Sequence, residues 1–188
     1  MSLKIFIIRH PETIKNVAQI IDGPLNGELS EIGKSQIPGA VKELLSLGIT
    51  KIYSSDSERC RELAETFSKE SKIEINYDPM LREIDSGDWI GMRKLEVKKL
   101  IAQNRRPKYG EDLNQLMERA KTMLHKLALE EGRILLIAHG CLGKMLLGAT
   151  INLQASEADR EISLRNCEIR ELDLKNIGLK LFCRLGSK

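Results

Sequence analysis

Two stretches decide how this chain reads: Lys4-Ile5-Phe6-Ile7-Ile8-Arg9, followed by His10, and Arg133-Ile134-Leu135-Leu136-Ile137-Ala138, followed by His139. Neither alternates polar with apolar. A short unbroken apolar run suits a strand covered on both faces, as in a parallel sheet flanked by helices. Around these runs the pattern changes period. After a loop with Asp22, Gly23, Pro24, Asn26 and Gly27, Ser30 is a good N-cap for a helix to about Leu47, with Ile37, Ala40, Val41, Leu44 and Leu45 at helical spacing. Gly48 ends that helix. Residues 49–54 read as a second strand, Cys60, Leu63, Ala64 and Phe67 mark one face of a second helix, and 73–77 reads as a short strand. This βαβα order predicts an α/β fold of three layers, with helices on both sides of a mostly parallel sheet.

The centre of the chain is different. Residues from about 92 to 130 read as a strongly charged helical excursion. It has a short apolar stripe at Val97, Leu100 and Ile101 and a longer one at Leu113, Leu116, Met117, Ala120, Leu124 and Leu127. Residues 140–149 read as a buried helix, and 167–172 and 179–185 as two closing strands. With no internal repeat, low-complexity segment or linker, residues 1–188 are expected to form a single domain.

Composition narrows the function classes. Hydrophobic residues are 41% and charged residues 30%, ordinary for a soluble globular protein. The 30 Lys and Arg against 27 Asp and Glu leave a net charge of +3, too little to argue for nucleic acid but suited to anionic small molecules. No apolar run is long enough to span a membrane, and the first residues do not read as a signal peptide. Cys60, Cys141, Cys167 and Cys183 are scattered, with no C-x-x-C pair, which points to reduced thiols in a cytoplasmic protein rather than a zinc site or a disulfide framework. Oligomeric state is left open, with a homodimer as one option.

Ligands of open α/β sheets bind beyond the carboxyl ends of the strands, where both His10 and His139 fall. One histidine there often only bonds a loop. Two of them, one preceded by Arg9 and one followed by Gly140 and a helix start, point to a site. A neutral imidazole can attack phosphorus and form a phosphohistidine. The transferred group needs donors on its equatorial oxygens, and the planar fork of an arginine supplies them in pairs. A helix opening at Gly140 offers backbone N–H groups and a positive dipole end to an anion. His125 lies off the apolar stripe of its helix and reads as solvent-facing; Trp89 reads as a core residue; Ser54 and Ser55 fit either a turn or a phosphate contact.

At these residues the chain resembles the histidine phosphatase superfamily, also called phosphoglycerate mutase-like. The family's R-H-G-E-T motif followed by Asn reads here as Arg9-His10-Pro11-Glu12-Thr13 and Asn16. Further pieces follow in the family's order: Leu29 to Gln36, Ile52-Tyr53-Ser54-Ser55 with Arg59 and Ala64, Leu81 to Trp89, Gly110-Glu111 with Arg119, and Ala138-His139-Gly140. The resemblance covers nearly the whole chain. It implies that His10 is the phosphorylated nucleophile and that Arg9 and Arg59 clamp the phosphoryl oxygens. It further implies that His139 forms a cationic or donor wall and that Asn16 adds a polar contact. Glu83 would protonate the leaving oxygen and then help water attack. That last role needs a carboxyl group protonated at the moment of departure.

The chain also departs from the pattern. Pro11 stands where the family usually has glycine, so neither an N–H nor a positive φ is on offer there. Ile90 stands where many members have Glu, and the loop around residues 23–27 is short. The excursion carries Arg93, Lys94, Lys98, Lys99, Arg105, Arg106 and Lys108, a solvated face or a reader of a second anionic group. The family's mutases tend to be longer, so this chain looks more like a phosphatase for a small phosphorylated metabolite, of the α-ribazole phosphate or sugar phosphate type. No cofactor or metal is expected. The alternatives are mutase-type phosphoryl transfer and a phospho-ligand binding module with little turnover, which Pro11 would favour.

Overall fold

The structure is a computed structural model that describes residues 2–174. Its sheet has strands β1 (Lys4–Arg9), β2 (Lys51–Ser54), β3 (Ile75–Tyr77), β4 (Arg133–Ala138) and β5 (Ile169–Leu172), in the order β3-β2-β4-β1-β5. All pairings are parallel except β1 with β5. The helices are α1 (Ile14–Val17), α2 (Glu31–Ser46), α3 (Glu58–Ser71), α4 (Lys94–Ala102), α5 (Leu113–Leu127), α6 (Gly140–Thr150) and α7 (Ala155–Glu161).

The unbroken apolar runs are explained by the layers. On one face, Phe6 and Ile8 of β1 and Leu135 and Ile137 of β4 pack with Ile37, Val41 and Leu44 of α2 and Leu63 and Phe67 of α3. On the other, Ile5, Ile7, Ile134 and Leu136 pack with Leu116, Ala120 and Leu124 of α5, Leu142 and Leu146 of α6 and Ala158 of α7. Successive strand residues face opposite layers, so a central strand with helices on both sides can hold no polar residue without burying it unpaired. The three-layer expectation is met.

Local signals behave as their chemistry predicts. The Ser30 hydroxyl accepts from the Gly33 N–H at 2.9 Å and caps α2, and Gly48 follows its end at φ +62°. Gly33 also sits where a Cβ would come within 2.0 Å of the Glu12 carbonyl oxygen, so the start of α2 can lie against the segment that follows His10 only with glycine there. Strands β2, β3 and β5 each begin two residues later than expected. The excursion is two helices, α4 and α5, separated by an irregular stretch at 103–112. Helices α1 and α7 have no counterpart in the sequence reading. The expected strand at 179–185 lies outside the described residues. His125 is exposed on α5 and Trp89 is buried, as expected.

Candidate active site

Strand register brings the two histidines together. Arg9 pairs with Ala138, so the next residues, His10 and His139, leave the sheet side by side. The His10 N–H donates to the Ala138 carbonyl at 2.9 Å, and the two ring centroids lie 5.3 Å apart. β2 flanks β4 on the other side. Its end supplies Ser55, and Ser57 and Arg59 follow at the start of α3.

His10 is 3% exposed, and its Nδ1 lies 2.7 Å from the carbonyl oxygen of Pro11. A carbonyl can only accept, so Nδ1 carries the hydrogen and Nε2 keeps its lone pair. Burial first, then the charges of Arg59 and Arg9, hold the pKa of this ring well below the usual 6.5, so it is uncharged at neutral pH. Pro11 therefore supplies an orienting acceptor. The carbonyl is the backbone group that proline retains, so the exchange for glycine leaves this bond intact.

His139 is 0% exposed. Its Nδ1 receives the Nε–H of Arg59 at 3.1 Å, so this nitrogen holds a lone pair. Nε2 must then carry the hydrogen, and it meets the Ser55 hydroxyl at 2.9 Å with the Ser57 hydroxyl at 3.4 Å. Ser57 is the N-cap residue of α3 but makes no cap bond with its side chain. Burial, followed by Arg59, His10 and Arg9, pushes the His139 pKa far down. Of the two roles expected of His139, the cation is the one this geometry disfavours: the ring is neutral, and its one N–H is turned to Ser55.

Arg59 is 1% exposed although it lies on a helix rich in charge. Its Nη1 donates to the carbonyls of Gly23, at 2.9 Å, and Asn26. Gly27, at φ +155°, leaves room for it: a Cβ there would stand 2.9 Å from Arg59 Cδ. The short 22–27 loop is thus the seat of this arginine. Arg9 donates through Nη1 to the Leu164 carbonyl at 2.9 Å, while its buried Nε has no partner among the described residues. An orphaned guanidinium donor beside an uncharged imidazole suits a pocket shaped for an anion.

Glu83 corrects one expectation. Its carboxylate accepts from the N–H groups of Cys141 at 3.0 Å and Leu142 at 3.1 Å, so it sits on the N-terminus of α6. The Gly143 N–H bonds the His139 carbonyl. A phosphoryl group would therefore find the Gly140 N–H alone, rather than the open helix end expected there, because a carboxylate from elsewhere in the chain satisfies the dipole and its donors first. Asn16 is also partly committed. Its Oδ1 accepts from the Thr13 N–H at 3.3 Å and from Asn166 Nδ2 at 3.2 Å, which leaves its NH2 end to reach a ligand.

Sequence reasoning did not find Asn166, whose Nδ2 also donates to the His10 carbonyl at 2.9 Å, and left Ser55 undecided. Nothing local marks Asn166; Ser55 had the Y-S-S match as a signal. Of the cations from Arg93 to Lys108, Lys94 is half-buried and the others are exposed. Burial, with Arg9 next, pushes the Lys94 ammonium below its usual value. Among the described residues no group of three or more His, Cys, Asp or Glu could hold a metal ion.

The chain matches the family model described as "Histidine phosphatase superfamily (branch 1)" over residues 5–182. It is 33% identical over 189 residues to the "Probable phosphoglycerate mutase GpmB" of Proteus mirabilis, covering 93% of this chain and 86% of that one. Among solved structures it is similar to a mycobacterial glucosyl-3-phosphoglycerate phosphatase, with TM-score 0.80, 24% identity and 89% and 91% of the two chains covered. It is also similar to an alpha-ribazole phosphatase from Shigella flexneri, with TM-score 0.80, 20% identity and 90% of each chain covered. At these identities the two structures speak to the fold alone. Matched over most of its length by the family model and by a relative well above that level, the chain belongs to the histidine phosphatase superfamily, branch 1.

Proposed function

We propose that this protein hydrolyses phosphomonoesters through a phosphohistidine formed on Nε2 of His10. The lone pair of Nε2 attacks phosphorus as the bond to the ester oxygen breaks, and the Glu83 carboxylate, having taken the proton of the bound phosphate monoanion, passes it to that oxygen. Water then attacks the phosphohistidine, Glu83 takes the water's proton back, and inorganic phosphate leaves with His10 restored. Arg9, Arg59 and the Gly140 N–H face the charge on the equatorial oxygens, Asn16 adds a polar contact, and neutral His139 holds Arg59 in place. Lys94 adds positive potential at the rim. The observation that carries this reading is the 2.7 Å contact of His10 Nδ1 with the Pro11 carbonyl, which leaves a buried, uncharged Nε2 lone pair among arginines.

The substrate we propose is a small phosphorylated metabolite of the α-ribazole phosphate or sugar phosphate type. The names of the two solved structures of like fold support that range. The name of the Proteus relative favours a second reading, phosphoglycerate mutase-type transfer, in which the phosphohistidine returns its group to another hydroxyl. A panel of phosphomonoesters assayed with wild type and His10→Ala tests both. Steady release of phosphate without any bisphosphate requirement is expected. A wild type that releases none, and never acquires an acid-labile phosphoryl group, overturns the hydrolase. We propose that turnover needs no metal, so EDTA should leave it unchanged. We also propose a cytoplasmic location, in keeping with the free thiols of Cys60, Cys141 and Cys167.

A further inference from the structure

Glu83 lies on an irregular segment between β3 and α4, where no strand register fixes it. Its carboxylate nevertheless stands on the α6 N-terminus beside the pocket. The segment is held from α5 by one side chain. Arg119 sends Nη1 to the carbonyls of Met80 at 2.8 Å and Arg82 at 2.7 Å, and Nη2 to the carbonyl of Glu83 itself at 3.3 Å. Its Nε and Nη2 also grip Glu111, at 2.8 Å to Oε1 and 2.6 Å to Oε2. Glu111 completes the frame: its Oε2 accepts from the Asp85 N–H at 3.3 Å, and its own N–H donates to the Asp85 carbonyl at 2.7 Å. On the other flank Arg82 forks onto both carboxylate oxygens of Asp56, with Nε at 2.7 Å from Oδ1.

Arg119 lines a cavity of about 370 Å³ that Glu83 also lines, a place where an arginine would usually be read as a ligand for substrate. Its bonding argues otherwise. All three guanidinium nitrogens already donate to protein acceptors, and its charge is matched by Glu111. What it touches is the backbone that carries the acid.

Resting on the hydrolase reading above, we propose that Arg119, locked by Glu111, is the positioning residue for Glu83: it sets where the carboxyl group stands when the leaving oxygen takes its proton. A lysine is no substitute. Its ammonium is a point donor and cannot span three carbonyls and a carboxylate at once, as the planar fork does.

The consequence is specific to leaving groups. A p-nitrophenolate departs readily without a proton, whereas an alkoxide does not. The test is kcat/KM for p-nitrophenyl phosphate and for glycerol 2-phosphate, in wild type, Arg119→Lys, Glu83→Gln and the double variant. A shift of the acid by an ångström costs on the order of 100-fold where proton transfer matters, so Arg119→Lys is expected to lose about 100-fold on the glycerol ester. On the aryl ester it should lose less than about 3-fold, because the general acid is not needed there. Glu83→Gln should show the same split, and adding Arg119→Lys to it should cost nothing more, since both remove one function. Glu111→Gln, which keeps the size of the side chain, should show the split more weakly and serves if Arg119→Lys does not fold. Equal losses on both esters, or full additivity in the double variant, would overturn the positioning role while leaving the hydrolase intact. A wild type inert toward both esters would instead take down the hydrolase, and the positioning role with it.

Discussion

His10 and Glu83 are placed by opposite means. His10 follows a central strand, and its place is set by the ladder between β1 and β4, by the bond from its own N–H to Ala138 and by a neighbouring carbonyl. Glu83 follows no strand, only a short 3-10 turn at Pro79–Leu81; its carboxylate rests on the Cys141 and Leu142 N–H groups, and its backbone is held by side chains, Arg119 and Glu111 behind it and Arg82 and Asp56 beside it. A position fixed by main-chain register survives most substitutions around it. A position fixed by a clamp can be lost one residue at a time. The difference suits the chemistry proposed here, in which His10 must face phosphorus in one fixed line while Glu83 must serve the leaving oxygen first and water second.

The largest effect should come from the register-fixed side. His10→Ala should lower turnover by more than about 10⁴-fold, as removal of a nucleophile does. The acid-labile phosphoryl group should vanish with it, while the melting temperature stays within a few degrees of wild type. A collapse of the fold would break the comparison, because it would mean that the ring holds the strand ends rather than the reverse.

Next comes Glu83→Gln. A loss of about 10²- to 10³-fold is expected on alkyl phosphates, the range of a general acid. Phosphorylation of His10 by an aryl phosphate should survive, and quench-flow detection of the phosphoenzyme reads this directly. Failure of the aryl ester to label His10 would show that Glu83 shapes the nucleophile's pocket as well.

The third effect is on stability. Both rings are uncharged in the fold and are held well below their ordinary pKa of 6.5. Between 6.5 and those lowered values the unfolded chain binds protons that the folded one does not, so stability is fully present above 6.5 and falls as pH drops below it. The melting temperature should therefore fall between pH 7.5 and pH 5.5, and the fall should shrink in His10→Asn. A flat profile in wild type would show that folding leaves the rings at their ordinary pKa. The smallest effect tests the register itself: Asn166→Ala removes one bond to the His10 carbonyl and one to Asn16, and should cost about 1 kcal/mol of stability. Turnover should change by less than about 3-fold if the ladder alone aims His10, and a larger kinetic loss would move His10 toward the clamped class.

Much of this was written in one-dimensional form. The runs 4–9 and 133–138 had to be central strands, because a strand covered on both faces tolerates apolar residues at every position, and their ends placed both histidines at one rim. Ser30 and Gly48 marked α2 through capping chemistry that acts within a few residues. The resemblance motifs singled out Arg9, His10, Arg59, Glu83 and His139 as site candidates. Three-dimensional contact alone gave each its partners. Pro11 became the acceptor for His10 Nδ1, His139 a neutral ring between Arg59 and Ser55, and the α6 N-terminus a seat for Glu83. Arg119 emerged on the carbonyls of the segment that carries Glu83. Asn166 entered the site with no local mark. Each of these rests on partners brought together from distant parts of the chain, or, for Pro11, on a side-chain rotamer. Spacing and composition report what a residue can do; which partner saturates it first is settled by packing.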